Sequence, residues 1–350
     1  MYKRGILLFI SLLGLIACKE SAKKEPIKEK TEDVAKTNIS DAFSIEILDN
    51  EALSIIDSTA TIQVLAEGFT WTEGPVWIQE GKFLLFSDIP NNKVFKLDSL
   101  NKVSVYLHPS GFLGPNPDFA EPGSNGLTLD NDGNLVLMQH GERRVGKMNA
   151  PLSDPKPDYI ALVDNYKGKR FNSPNDGFFD AGGNLYFTDP PYGLPKRMED
   201  ETKELDFQGI YCLLKSGELK LLDKEVPRPN GIAQSPDGKT LYVAVSHGPK
   251  VVWHSYDIMA PGKVKNKQTF YDVTELMGKE GWQGAPDGLK VNSKGYIFAT
   301  GPGGVWIFNK DAKVLARILT GQRTSNCALT SDEKRLFMTA DDYILSVNLK

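Results

Sequence analysis

The sequence predicts an all-β chain folded as a six-bladed β-propeller, with an N-terminal strand completing the last blade. A polar residue opens a short apolar run six times, at intervals of 39 to 57 residues. Repeats with periods in this range are typical of solenoids, arrays and propellers. Because the blades of a propeller surround one axis, we expect the six oxygen-bearing side chains to converge there. They are Glu73, Asn125, Asn175, Asn230, Asp287 and Asn326.

The repeats also carry the strand and turn pattern of four-stranded blades. In the fourth repeat, residues 230–234, 240–245 and 251–256 are β-rich runs, and a Ser-Pro-Asp-Gly turn separates the first two. The second, third and fifth repeats match this pattern closely, whereas the first and sixth match it more loosely. The sixth repeat ends with its third strand, at residues 343–349. Residues 61–65 are therefore expected to supply its fourth strand, which removes an exposed sheet edge.

Two long stretches depart from the blade pattern. Residues 108–123 are rich in Pro, Gly and Phe, and residues 192–208 are charged. Long insertions in a rigid repeat are usually binding loops or lids. We expect the loop around Phe112 and Phe119 to cover a site and exclude water from it.

The N-terminus has the features of an export signal. Lys3 and Arg4 precede an apolar stretch over residues 5–17, which is too short for a membrane span. Residues 15–18, Leu-Ile-Ala-Cys, resemble a bacterial lipobox, so residues 1–17 are expected to be removed and Cys18 lipidated. The alternative is an ordinary signal peptide with a chance cysteine. The expected location is the bacterial cell envelope, on the periplasmic side or the cell surface.

The remaining domain boundaries follow from composition. Residues 18–40 are rich in Lys and Glu and lack aromatic residues, which predicts a flexible tether. Residues 41–350 are then the propeller. The mild net charge of −4 and the mixed charges of the tether argue against a nucleic-acid partner. Cys212 and Cys327 fall in the third and sixth repeats, on opposite sides of the predicted ring, so we expect both to be buried and unpaired.

A second set of polar residues follows the first by about 15 residues. The second strand of a blade runs antiparallel to the first, so its end lies near the start of the first strand. Two interpretations are open: these residues cap strand ends locally, or they face a site. His140 and Asp189 adjoin Gly- or Pro-containing loops, which favours function. The set is Asp88, His140, Asp189, His247, Gly301 and Asp341.

The first set of residues predicts a site for a hard metal ion. Its donors are carboxylate and amide oxygens, without His or Cys, which suits Ca²⁺, Mg²⁺ or Mn²⁺ better than Zn²⁺. The alternative is that Asn, Asp and Gly merely form tight turns around the axis. Glu73 argues against that alternative, because Glu is a poor turn former. The sequence has no EF-hand loop, phosphate-binding loop, dinucleotide fingerprint or nucleophile elbow.

Several motifs together resemble one known family. They are FTWTEGPVW, SNGLTLD, LMQHGERRV, KRFNSPNDGFFDAGGNLYFTDPPYGL, PNGIAQSPDGKTLYV and APDGLKVNSKGYIFATGPGGVWIF. From about residue 43 to the C-terminus, the chain resembles the SMP-30/gluconolactonase/LRE-like family of six-bladed propellers. The resemblance implies hydrolysis of lactones, while a related branch cleaves organophosphates. It also implies a single divalent cation, usually calcium, held by Glu73, Asn175, Asn230 and Asp287.

One position departs from the vertebrate branch of that family. Ser173 stands where that branch has an arginine that holds the substrate. A preference for sugar acids therefore does not carry over from that branch. Arg143, Arg144 and Arg170 are the candidates to replace the missing arginine.

The leading hypothesis is a metal-dependent lactone hydrolase acting on a small lactone or sugar-acid lactone. The cation would polarise the carbonyl group, with Asp287 as general base or nucleophile and His140 assisting it. Asn125 and Asn175 would orient the substrate or complete the metal shell. Asp189 and Arg143 are further candidates for substrate binding.

Two alternatives to lactone hydrolysis stay open. The first is a metal-dependent phosphotriesterase or esterase that uses the same channel. The second is a propeller that binds a sugar or protein at the cell envelope without catalysis. The carboxylate Glu73 favours an enzyme, because a binding protein has no need to keep it.

Overall fold

The computed structural model of the chain describes residues 39–115 and 119–350. The predicted signal peptide, Cys18 and nearly all of the tether lie outside the described residues and stay predictions. The described helices are short 3-10 turns at Ile39–Ala42, Asn50–Ser54, Arg197–Glu199 and Thr274–Leu276.

In the described part of the chain, no helix has the length and apolar character needed to cross a membrane.

Strands make up nearly all of the regular structure. In chain order they are β1 (Ser44–Ile47), β2 (Gln63–Glu67), β3 (Thr72–Ile78), β4 (Phe83–Asp88), β5 (Lys93–Leu97), β6 (Val103–Leu107), β7 (Ser124–Leu129), β8 (Leu135–Gln139), β9 (Arg144–Met148), β10 (Tyr159–Val163), β11 (Asn165–Tyr166), β12 (Lys169–Arg170), β13 (Gly177–Phe179), β14 (Leu185–Asp189), β15 (Gly209–Leu213), β16 (Leu219–Asp223), β17 (Pro229–Gln234), β18 (Thr240–Val245), β19 (Val252–Ala260), β20 (Lys263–Asp272), β21 (Leu289–Val291), β22 (Ile297–Gly301), β23 (Gly304–Phe308), β24 (Val314–Leu319), β25 (Thr324–Leu329), β26 (Arg335–Ala340) and β27 (Tyr343–Asn348).

These strands form six antiparallel sheets arranged as the blades of a β-propeller, which confirms the predicted fold class. Blades 1 to 4 are β3–β6, β7–β10, β13–β16 and β17–β20, while β11 and β12 form a separate hairpin before blade 3. Blade 5 contains β21–β24 with β1 at its edge, and blade 6 contains β25–β27 with β2.

The N-terminal segment closes the ring, as predicted. Strand β2 pairs antiparallel with β27, with Gln63 opposite Ser346 and Glu67 opposite Tyr343. The closing strand lies two residues later than the predicted segment. Strand β1 pairs with β24 and makes blade 5 a five-stranded sheet, which the sequence pattern did not reveal because four residues give too short a signal.

The hydrophobic core consists of six clusters, one between each pair of neighbouring blades. Between blades 2 and 3, the rings of Phe171 and Tyr211 contact Phe187 with centroids 5.4 and 5.2 Å away. Cys212 and Cys327 are buried in two other clusters and are unpaired. Close packing on both faces of each sheet gives the axis a rigid frame.

Candidate active site and metal centre

Glycine allows the first strands of the blades to approach one another closely at the axis. In blades 1, 2, 4 and 5, the residue after the polar repeat residue is glycine. A Cβ atom on Gly74 would lie 2.1 Å from Asn125 O, and one on Gly231 would lie 2.2 Å from Asp287 O. A larger residue in place of Gly74 or Gly231 would push the neighbouring strands apart. We call the six repeat residues the axial ring; they are Glu73, Asn125, Asn175, Asn230, Asp287 and Asn326.

Buried hydroxyl groups near the ends of second strands tie neighbouring blades together beside the axial ring. Ser87 Oγ donates to Asn125 O at 2.8 Å, and Thr188 Oγ1 donates to Asn230 O at 2.7 Å. The donors of the equivalent bonds from blades 4 and 5 are Ser246 and Thr300. Each bond ends at a ring residue or at the residue just before one. The backbone that carries the ring is therefore held in place from the adjacent blade.

Five of the six ring residues line one cavity of about 390 Å³ at an end of the channel. Asn125 Oδ1 and Asn175 Oδ1 are buried and have no hydrogen-bond donor among the described residues. Asn230 Nδ2 donates to Ser246 Oγ at 2.8 Å, which leaves the Asn230 amide oxygen available. The rest of the wall includes Trp71, Glu121, Tyr192, Arg197, His247, Met277 and Arg323.

Two carboxylates complete the donor set. Glu73 Oε2 accepts from Gly74 N at 2.8 Å, which leaves the other oxygen, Oε1, for a ligand. Burial, together with the negative charge of Asp176, raises the pKa of Glu73 to about 8, although the hydrogen bond from Gly74 N opposes the rise. Burial also raises the pKa of Asp287, and the negative charges of Glu73 and Asp176 add to this effect. Without a cation nearby, the charged form of each of these acids is therefore disfavoured.

The donor set fits a hard divalent cation. Buried amide oxygens without donors and buried carboxylates that repel each other both gain from a cation between them. Oxygen-only ligands of this kind suit Ca²⁺, Mg²⁺ or Mn²⁺. In the described ranges, no three His, Cys, Asp or Glu side chains converge as metal ligands. The axial ring does not form such a group because amides supply most of its donors.

Asn326, the sixth ring residue, supports its neighbours and does not line the cavity. Its Nδ2 donates to Glu73 Oε2 at 3.1 Å and lies 3.5 Å from Asp176 Oδ2. Its Oδ1 accepts from Lys290 Nζ at 3.3 Å and from Cys327 N at 2.9 Å. The expectation that all six oxygens face one point is therefore wrong for Asn326, because its own oxygen and nitrogen are engaged below the cavity.

Asp189 caps the loop that leads to Asn175. Its carboxylate accepts from Asn172 N at 2.9 Å and from Ser173 N at 2.8 Å. Burial raises the pKa of Asp189 to about 7, and these backbone donors oppose the rise. The side chain is fully buried and does not line the cavity. Equivalent caps in blades 1 and 6 are made by Asp88 and Asp341.

His140 and Arg143 lie behind the cavity wall. His140 is fully buried, and its Nδ1 lies 3.4 Å from Oε2 of the wall residue Glu121. Arg143 donates from Nε to Phe171 O at 2.6 Å and from Nη1 to Thr202 O at 2.9 Å. Neither side chain lines the cavity, so the structure places both as supports of the wall. From the second polar set, His247 does line the cavity.

Both predicted insertions contribute to the wall, although through residues that sequence patterns did not single out. Residues 108–123 supply Glu121, and residues 192–208 supply Tyr192 and Arg197. Burial raises the pKa of Tyr192, so its hydroxyl stays protonated and can donate a hydrogen bond. The expected cover residues Phe112 and Phe119 contact each other at 5.4 Å between centroids, and neither lines the cavity.

Comparison with known proteins places the chain in a family. The model of the SMP-30/gluconolactonase/LRE-like region matches residues 71–342, which include the whole axial ring. The chain belongs to the SMP-30/gluconolactonase/LRE-like family. This result confirms the resemblance seen in the motifs.

Three similar proteins illustrate the relationship. Gluconolactonase of Zymomonas mobilis is 38% identical over 301 residues, which cover 85% of this chain and 83% of that protein. The structure of a gluconolactonase from Xanthomonas campestris is similar with a TM-score of 0.75 at 27% identity, covering 88% and 95% of the two chains. Regucalcin of Agrobacterium tumefaciens, a calcium-binding protein, shares the fold with a TM-score of 0.62 at 17% identity, covering 82% and 94%.

The cap on the Asn175 loop can be tested through stability. Replacing Asp189 with Ala leaves two buried backbone donors without an acceptor, so the free energy of unfolding should fall by roughly 2–4 kcal/mol. Urea denaturation measures this change. The control is Asp132→Ala at an exposed turn position, which should change stability by less than about 0.5 kcal/mol. Equal effects of the two substitutions would rule out the capping role.

Proposed function

We propose that the protein is a hydrolase that opens a lactone ring with the help of one divalent cation, calcium in the native state. The observation that carries this proposal is the cavity at the axis, where amide oxygens without donors face two buried carboxylates. The activity named for the Zymomonas relative, at 38% identity, supports a lactone as the substrate. Oxygen-only donors support calcium as the ion.

Glu73, Asn175, Asn230 and Asp287 would hold the cation. Glu73 and Asp287 would supply charged ligands, and the amide oxygens of Asn175 and Asn230 would supply neutral ligands. When bound, the cation acts as a Lewis acid that polarises the lactone carbonyl and stabilises the negative charge that develops on it.

The protein side chains supply proton transfer and orientation. Asp287 removes a proton from the water that attacks the carbonyl carbon, because its carboxylate lines the cavity beside the other ring oxygens. The ring C–O bond then breaks, and the departing oxygen takes up a proton to become a hydroxyl group. The protonated Tyr192 hydroxyl in the wall can donate a hydrogen bond to a substrate oxygen.

His140 can take part only through Glu121. Glu121 lines the cavity and lies 3.4 Å from His140 Nδ1, so the pair can accept a proton from the site and hold it behind the wall. Asn125 is placed to orient the substrate, because its amide lines the cavity with an unpaired oxygen. Asp189 and Arg143 bind backbone groups behind the cavity, so they act on the substrate only through the wall that they support.

Activity tests the proposal directly. Asp287→Ala removes a carboxylate that serves both cation and proton transfer, so turnover should fall by about a hundredfold or more. A pH-drop assay over a panel of lactones, phosphotriesters and carboxylic esters measures it, with Asp132→Ala as the exposed control.

Chelation should abolish turnover, and added Ca²⁺ should restore it. Full turnover after exhaustive chelation would contradict the metal dependence, and hydrolysis of phosphotriesters without lactones would change the substrate class.

The raised pKa of Glu73 gives a pH-dependent prediction. Between the ordinary value of 4.5 and the folded value of about 8, the cation-free folded state binds more protons than the unfolded state. The stability of chelated protein should therefore fall as pH rises through this window, by at most about 1.4 kcal/mol per pH unit for one proton. Saturating Ca²⁺ keeps the carboxylate ionised and should remove the decline.

Thermal unfolding with and without chelator measures the effect. The gap between the two melting temperatures should widen as pH rises from 4.5 to about 8. The Glu73→Gln variant is the matched control, because it lacks the titrating group and should show a smaller change. A gap that is constant across this pH range would contradict the assignment.

The N-terminal segment adds a proposal about location. The lipobox-like residues 15–18 support attachment of the enzyme to the bacterial envelope through a lipid on Cys18. Cys18→Ser should release the enzyme from the membrane fraction and abolish incorporation of labelled fatty acid. Unchanged labelling in this variant would exclude Cys18 as the anchor.

A further inference from the structure

The half of the channel below the axial ring contains one charged residue among six equivalent positions. The residues three places after each ring residue all line a second cavity, of about 340 Å³, on the opposite side of the ring. Five of these residues are uncharged. In blade order they are Val76, Thr128, Phe178, Ala233, Lys290 and Leu329.

The ammonium group of Lys290 is directed toward the underside of the axial ring. Its Nζ donates to Leu289 O at 3.2 Å and to Asn326 Oδ1 at 3.3 Å. The amide nitrogen of Asn326 in turn donates to Glu73 Oε2 and approaches Asp176 Oδ2. The Asn326 amide therefore links the Lys290 ammonium to two buried carboxylates.

Asp176 occupies the position after the ring residue, where most of the other blades have glycine. Four of the six blades have glycine at this position, whereas Asp176 places a carboxylate there that is only 3% exposed. Its Oδ1 accepts from Gly177 N at 2.8 Å, and its Oδ2 lies 3.5 Å from Asn326 Nδ2. Both donors are neutral, so they do not balance a buried charge. A counter-charge is needed nearby, and Lys290 is the cation directed at this side of the ring.

The charges along the axis leave room for one divalent ion. When ionised around a bound cation, Glu73, Asp176 and Asp287 contribute three negative charges, and Lys290 contributes one positive charge. At the rim, charged residues pair with one another: Arg323 Nη2 lies 2.6 Å from an Asp341 oxygen, and Arg197 lies 3.8 Å from Glu121. Glu333, which also lines the lower cavity, accepts from Ser293 N at 2.7 Å and from Ser293 Oγ at 2.8 Å. Without these outer groups, the unbalanced charge on the axis is −2, which matches one divalent cation.

We propose that Lys290 is a built-in counter-cation for Asp176, which sets the affinity of the axis for its metal and limits the channel to a single divalent ion. The inference rests on the proposed function, in which a cation binds to the axial ring. In this scheme Lys290 is a positioning residue. It holds the Asn326 amide from below and replaces a second ion with a fixed charge.

Calcium binding by the full chain and its variants tests the inference. Lys290→Met removes the charge and keeps most of the side-chain volume, so Ca²⁺ should bind about tenfold or more tightly, or two ions should bind. Asp176→Asn leaves Lys290 uncompensated, so Ca²⁺ should bind about tenfold or more weakly. The double variant should return close to the affinity of the parent chain. The control Lys290→Arg retains the charge and should keep one ion at near-parental affinity.

Calorimetric titration of chelator-treated protein gives both stoichiometry and affinity. A double variant that binds as weakly as Asp176→Asn, or as tightly as Lys290→Met, would overturn the inference, because the two charges would then not offset each other. Weaker binding by Lys290→Met would overturn it too, since it would show that support of the Asn326 amide, and not the opposing positive charge, is the main effect of Lys290 on the cation. If Lys290→Met fails to fold, as judged by circular dichroism, Asp176→Asn decides alone, and unchanged affinity in that variant overturns the inference. Failure of the parent chain to bind any divalent ion would instead overturn the proposed function.

Discussion

The close approach of six strands at one axis is the constraint on which the rest of the structure depends. Glycines after the ring residues remove the Cβ atoms that would collide with the neighbouring backbone, as at Gly74 and Gly231. Hydroxyl groups such as Ser87 and Thr188 then tie the backbone at or beside several ring residues to the adjacent blade. The six interblade clusters bury both faces of the sheets and keep this spacing. A rigid circle of polar side chains results.

The close spacing of the axial ring makes the cation-free site electrostatically unfavourable. Glu73 and Asp287 cannot move apart, and burial raises the pKa of both groups. The amide oxygens of Asn125 and Asn175 find no donor among the described residues. Burying these groups costs free energy when no positive charge is present, and a bound cation offsets that cost. The energy that keeps the blades packed therefore also prepares the site for binding, which is the preorganisation that electrostatic catalysis requires.

Sequence reasoning located the fold and the ring because both repeat. The polar residue before glycine recurs in register with the strand pattern, and the closing strand at Gln63–Glu67 follows from the missing fourth strand of the last blade. The second polar set was harder to interpret. An Asp at the end of a strand gives the same sequence pattern whether it caps a loop or faces a site. Asp189 shows the former, through bonds to backbone groups that a sequence cannot display.

The residues that sequence patterns missed are those that depart from the repeat. Glu121 and Tyr192 belong to insertions without a period, so only the fold brings them to the wall. Asp176 and Lys290 carried a usable signal, as single charged residues at positions that are otherwise glycine or uncharged.

The most direct test of the central claim is an anomalous difference map of crystals grown with Ca²⁺. We predict a single peak on the axis, with oxygens of Glu73, Asn175, Asn230 and Asp287 at about 2.3–2.6 Å. An axis without an ion, with Glu73 and Asp287 directed apart, would contradict the account.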